Sequence, residues 1–148
     1  MLGLKLIKLT EKHSEEIAAN LAHRIRTSPH TLAYRDLSEE ELRLSLVALY
    51  QHLEEWLLHK SEDEVERHFR NTGIRRAGQG VPASQLACAI LMSKEQLWGF
   101  VYREAAAEKA LELYGELEFL EALDRFFDHA VFYALLGYEH GAQAQKAA

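Results

Sequence analysis

The sequence predicts an all-α fold, and three observations carry that prediction. Apolar residues recur at spacings of three and four along nearly the whole chain, the period of a helix with one buried face. Two Ser-x-x-Glu runs, Ser38 with Glu41 and Ser61 with Glu64, stand immediately before such stretches, where side chain and backbone cap one another at a helix start. No Asn-Gly or Asp-Gly hairpin signal and no internal repeat occurs. With 148 residues the chain has the size of one domain, and five or six helices are expected in a single unit over residues 1–148.

Residues 1–9 alternate Leu2, Leu4 and Leu6 with Lys5 and Lys8, the pattern of a short strand or an extended arm. Thr10 is then the expected N-cap of a first helix running to about Thr27, with Glu15 and Glu16 near the positive end of its dipole. Its buried face is Ile17, Leu21 and Ile25, with Ala18 and Ala22 beside it. Pro29 prevents much continuation, and residues 28–37 form an irregular link. From Ser38 a helix carries Leu42, Leu46, Leu49, Leu53 and Trp56 to about His59. From Ser61 a third, more exposed helix carries Val65 and Phe69 toward Arg75.

The run from Gly78 to Pro82 reads as a stop and a restart, because Gly accepts positive φ at a helix end and Pro suits the opening of the next helix. Leu86, Ile90, Leu97 and Val101 then form one apolar row, and Ala87, Leu91, Lys94 and Trp98 an adjoining one, so this helix should be mostly buried. After an Ala-rich passage over 105–110 comes the last helix, which Gly115 is expected to kink or divide at a cost of ~1 kcal/mol relative to Ala. It carries two apolar stripes. Phe119, Leu123, Phe126, Ala130 and Tyr133 suit the chain's own core, while Leu120, Phe127, Val131 and Leu135 are left to form the face of a homodimer. Gly141 should end this helix, leaving an ordered core over roughly residues 10–140 and a flexible tail over 141–148.

Composition narrows the function. The net charge of −6 lacks the basic footprint of a nucleic-acid binder, and Arg70, Arg75 and Arg76 make only a small local patch. No apolar run approaches the length of a membrane span, and the start of the chain is too charged for a signal peptide, so a cytoplasmic protein is expected. The single cysteine, Cys88, sits in the apolar helix and reads as a reduced core residue.

The eight histidines raise the question of a metal. No Glu lies three residues before a His, as helical di-iron sites require, and the His-Glu-x-x-His pattern of zinc proteases is absent. His52, Glu55 and His59 share a helix face but read as a solvated one. Ser84 and Ser93 have no glycine elbow, and Gly78 and Gly80 are not followed by the Lys of a phosphate loop, so no catalytic residue is assigned and an enzyme is not expected. Trp56, Trp98, Phe100 and Tyr102 fit a core better than a ligand pocket.

The run Arg75-Arg76-Ala77-Gly78-Gln79-Gly80-Val81-Pro82-Ala83-Ser84-Gln85-Leu86, continued by Ala89-Ile90-Leu91, Lys94 and Leu97-Trp98, resembles the signature of bacterial RsbR/RsbRD-type N-terminal sensor domains. Near the end, Phe126-Phe127-Asp128-His129 and Gly137-Tyr138-Glu139 resemble the closing helix of the same family. Arg76, Gly80, Pro82 and Trp98 are the positions that carry the signature most clearly. The resemblance implies a dimeric, globin-like helical module without haem that senses an input in stress signalling. It implies a partner that is an output domain, a kinase or an anti-sigma-type regulator; charge and the apolar run lengths given above are what leave nucleic acid and membrane out of the expected partners. It also implies a sharper alternative, a haem-binding gas or redox sensor with His68 as axial ligand and His52, His59 and His129 as rivals; a plain ligand-free dimerisation scaffold is the third reading.

Overall fold

In the computed structural model, which describes residues 2–107 and 113–147, the chain is all-α. The helices are α1 (Leu2–Lys12), α2 (Ser14–Thr27), α3 (Glu39–Gln51), α4 (Glu62–Gly78), α5 (Ala83–Ala107) and α6 (Leu113–Ala147). A 3₁₀ turn at Leu32–Asp36 joins α2 to α3, and a π-helical segment at Glu55–His59 precedes α4. There is no strand among the described residues. Residues 108–112, which include the end of the Ala-rich passage, lie outside the described residues.

The first nine residues are helical, not the strand or arm that their alternation suggests. Leu6 and Ile7 are adjacent and both buried, which a helix flank allows and an alternating strand does not. Thr10 is correspondingly no N-cap: it is fully buried within α1, and its Oγ1 donates to the Leu6 carbonyl at 2.8 Å. The break falls at His13, and α2 then follows the expected face, with Ile17, Ala18, Leu21, Ala22 and Ile25 all buried.

Both serines cap their helices as expected, through the serine half of the capping box. Ser38 accepts the Glu41 N–H at 3.3 Å and Ser61 the Glu64 N–H at 3.2 Å. The turn after α4 is also as expected and has an identifiable chemistry. Val81 N–H donates to the Arg76 carbonyl and Gly80 N–H to the Ala77 carbonyl, both at 3.1 Å, the paired bonds of a Schellman ending. That geometry requires positive φ, and Gly80 supplies it at +78°. The Pro82 carbonyl then accepts from Gln85 and Leu86 and starts α5.

On α5 the row Leu86, Ile90, Leu97 and Val101 is buried, but the adjoining row is less so than expected, with Leu91 48% exposed and Ala87 and Trp98 only half-buried. Helix α6 departs from expectation at both ends. It passes through Gly115 without dividing, and it continues through Gly141 to Ala147. The physical cause at the second glycine is α4. Gly141 is buried against Ile74, and Gln145 Nε2 donates to the Ala77 carbonyl at 3.1 Å, so residues expected as tail have packing to hold them.

Helices α4 and α6 form the most extensive helix pair, and they run parallel: Glu62 meets His129 and Tyr133, Arg70 meets His140, and Ala77 meets Gln145. Their backbones touch. A Cβ built on Gly73 would stand 1.9 Å from the Ala134 carbonyl oxygen, and one on Gly137 would stand 2.1 Å from the Arg70 carbonyl oxygen. Glycine at these two positions is a requirement of the crossing, because any side chain would occupy the other helix's backbone.

Candidate functional site

Helices α3 and α4 do not pack closely on each other, and between them the fold leaves a chamber of about 260 Å³. Its interior is largely apolar: Leu42, Leu46 and Leu49 from α3, Phe69 from α4, Leu86, Ala89 and Ile90 from α5, and Phe127 from α6, all buried, with the buried Ser93 hydroxyl beside them donating to the Ala89 carbonyl. Its mouth is polar, with Ser45, His68, Thr72 and Arg75. At the inner end stands Arg76, only 5% exposed.

The closed end is built by the signature stretch. The capped turn at Gly80 fixes the C-terminus of α4, and the Arg76 Nη1 donates to Gln79 Oε1 at 2.8 Å. Gln85 Oε1 accepts the Ala33 N–H at 2.8 Å, which pins the 3₁₀ turn and sets the Tyr34 ring 5.5 Å from the Arg76 guanidinium carbon. Burial holds the Tyr34 hydroxyl above its ordinary pKa, against the opposing pull of Arg76, and burial pushes Arg76 down. Arg76, Gly80 and Pro82 therefore shape this end of the chamber. Trp98, the fourth signature position, is remote from it, half-buried on α5 with its ring 5.2 Å from Tyr102.

His68 sits at the mouth. Its ring centroid lies 4.7 Å from Trp56 and 4.9 Å from Phe69, and the same ring borders a shallow cleft formed with Trp56, Lys60, Glu64, Arg67 and Asn71. The π-helical segment, closed by the Lys60 N–H to Glu55 carbonyl bond at 2.7 Å, is what presents Trp56 here. Partial burial lowers the His68 pKa first, and the positive charges of Arg75 and Lys60 lower it further. A group with a depressed folded-state pKa contributes stability above its unfolded value, near 6.5, and that contribution is lost as pH falls through the folded value. Wild-type urea midpoints are thus expected to fall as pH is lowered below about 6.5. In His68→Gln this part of the decline should disappear, a difference under ~1 kcal/mol because the ring's outer edge is solvated.

A haem needs a wide apolar slot as well as an imidazole. The chamber lies below the ~300 Å³ at which pockets for drug-sized ligands begin, and a haem is larger than that class. The His68 ring, moreover, is laid on Trp56 instead of pointing into the chamber alone. The rival histidines are placed apart. His129 Nδ1 lies 2.6 Å from Glu62 Oε1 on the surface, and His59 faces Glu54. Among the described residues no three His, Cys, Asp or Glu side chains gather as a metal site. The aromatic residues do not share a pocket either: Phe100 is core, Tyr102 is 62% exposed, and Trp56 borders the His68 cleft.

The expected dimer stripe is split by the fold. Phe127 is 1% exposed and lines the chamber, so it belongs to the chain's own core and offers no surface to a second copy. Leu120, Val131 and Leu135 are half-buried at the flank of α6. On the same helix Asp124 pairs with Lys94 of α5 at 2.9 Å, and Leu91 and Trp98 stand about one turn to either side of Lys94.

No helix among the described residues is long and apolar enough to cross a membrane. A family model described as the RsbT co-antagonist protein rsbRD N-terminal domain matches residues 15–147. No curated protein and no solved structure matches the chain.

Proposed function

The chain belongs to the family of RsbT co-antagonist protein rsbRD N-terminal domains, and from that premise we propose a non-catalytic cytoplasmic input module whose chamber reads a signal and whose α6 relays it. The observation that carries the relay is the parallel α4/α6 seam. Chamber residues His68, Phe69, Thr72, Arg75 and Arg76 are on α4, and Phe127 is on α6. With Gly73 and Gly137 holding the two backbones in contact, neither helix shifts without the other, so a change in chamber volume is passed along α6 toward its C-terminus. The receiver is an output domain, a kinase or an anti-sigma-type regulator; the family description names RsbT as the protein antagonised, and an RsbT-type protein fits that role. A second copy docks on the face around Lys94, through Leu120, Val131 and Leu135. The shift needs two states of different affinity for the ligand or the receiver.

The relay is tested without knowing the ligand. Ala89 is buried and lines the chamber, so Ala89→Leu fills part of the space. Hydrogen exchange is then expected to change along residues 129–145 of α6, far from the substitution in sequence. Unchanged exchange there, in a folded variant, would show that chamber and last helix are uncoupled.

A further inference from the structure

Resting on the reading of the chamber as the input, we infer that it takes a small monocarboxylate, the apolar body lying against Phe69, Leu86 and Phe127 and the carboxylate pairing with Arg76. A guanidinium buried to this degree is costly unless an anion and hydrogen bonds compensate it. Arg76 has five N–H donors. One goes to Gln79 Oε1, and the Tyr34 hydroxyl supplies a further hydrogen-bonding partner with its ring 5.5 Å from the guanidinium carbon, but no Asp or Glu among the described residues forms an ion pair with it. Glu41 reaches it through its field alone.

The chamber thus combines apolar walls with one buried cation at the closed end. A carboxylate matches the planar guanidinium in geometry and charge, and such charge-assisted pairs are the stronger class of hydrogen bond. A compact multivalent anion such as phosphate does not match, because it would leave the apolar space empty and find a single buried cation. Size sets the rest. At ~30 Å³ per water the chamber has the volume of roughly nine waters, which suits an apolar chain or ring of about ten non-hydrogen atoms. Thr72 and Arg75 at the solvent-facing mouth give an anion its way in.

Calorimetric titration of the whole chain at neutral pH with octanoate, octanol and octylamine tests the inference. Octanoate is expected to bind about tenfold to a hundredfold more tightly than octanol, and octylamine least. Octanol binding as well as octanoate would overturn it, since the chamber would then read shape without charge, and so would any preference for the amine. Arg76→Met, with its helical circular dichroism checked, should erase the preference for octanoate; a retained preference overturns the assignment. Should that variant not fold, Arg76→Lys keeps the charge without the fork and should reduce the preference, while the wild-type selectivity stands as a test in its own right. If octanoate fails to bind but Ala89→Leu still alters α6 exchange, the ligand class is wrong and the relay stands. If octanoate binds and α6 exchange is unmoved, the ligand class stands and the relay falls.

Discussion

Gly137→Ala is expected to destabilise the fold by at least ~3 kcal/mol, lowering the thermal midpoint by about 10 °C. The added Cβ would stand 2.1 Å from the Arg70 carbonyl oxygen and 2.6 Å from its Cα. Both are backbone atoms of a helix, so no rotamer change relieves the clash. The helices must separate by about 1 Å to restore an ordinary contact, and the separation loosens packing along the whole seam, including the buried Phe69 and Phe126 edge-to-face pair at 5.6 Å. Gly73→Ala meets the Ala134 carbonyl oxygen at 1.9 Å and should behave alike. Because both changes open one seam, the double variant is expected to cost less than their sum. Gly99→Ala provides the contrast within the same protein. It lies inside α5 with nothing within 4 Å of the place its methyl would take, so it should stabilise by about 0.5–1 kcal/mol through helix propensity alone. Chemical denaturation of the three variants measures the difference, and a Gly137→Ala protein as stable as wild type would mean that the α4 and α6 backbones are not in contact.

That seam is written in the sequence as small residues at helical spacing: Gly73 and Ala77 on α4, Ala130 and Ala134 on α6, then Gly137 and Gly141. As local signals, Gly137 is a family match and Gly141 a helix stop. Only the partner helix turns them into contact points, and the partner is over sixty residues away in the chain. The same limit explains α1, whose Leu–Lys alternation is a strand signal locally but whose Leu6 and Ile7 are claimed together by the core. Legible in the sequence is what local chemistry decides, namely the two serine N-caps, the Gly80 turn and the inward face of α2. The candidate site is half legible. Arg76 stands out as part of a motif, yet nothing near it in sequence shows that Tyr34 and Gln85 enclose it or that the facing wall comes from α3. His68 stands out as a cofactor ligand; in the structure it borders the chamber mouth, with Trp56 against it because a π-helical turn intervenes.

A charged residue at Phe127 should unfold the chain, whereas the same residue at Val131 should leave it folded and separate the copies of the proposed dimer. Both positions lie on the stripe that periodicity assigns to a dimer, and burial divides them. Phe127 is 1% exposed and its ring centroid lies 5.2 Å from that of Phe126, so Phe127→Asp removes a large core side chain, a loss of about 3–5 kcal/mol, and adds the desolvation cost of a carboxylate in the apolar wall. The sum is comparable with the ~5–15 kcal/mol that holds a whole domain together. Val131 is half-buried at the flank of α6, where a carboxylate can turn to water, and Val131→Asp should cost under ~2 kcal/mol. Circular dichroism and sedimentation velocity separate the outcomes: helix content lost for Phe127→Asp, helix content kept with a slower, monomeric boundary for Val131→Asp. A Val131→Asp protein that still sediments as a dimer would move the interface off the Leu120, Val131 and Leu135 flank. A folded Phe127→Asp protein would remove Phe127 from the chamber wall, and with it the contact on which the proposed relay through α6 rests.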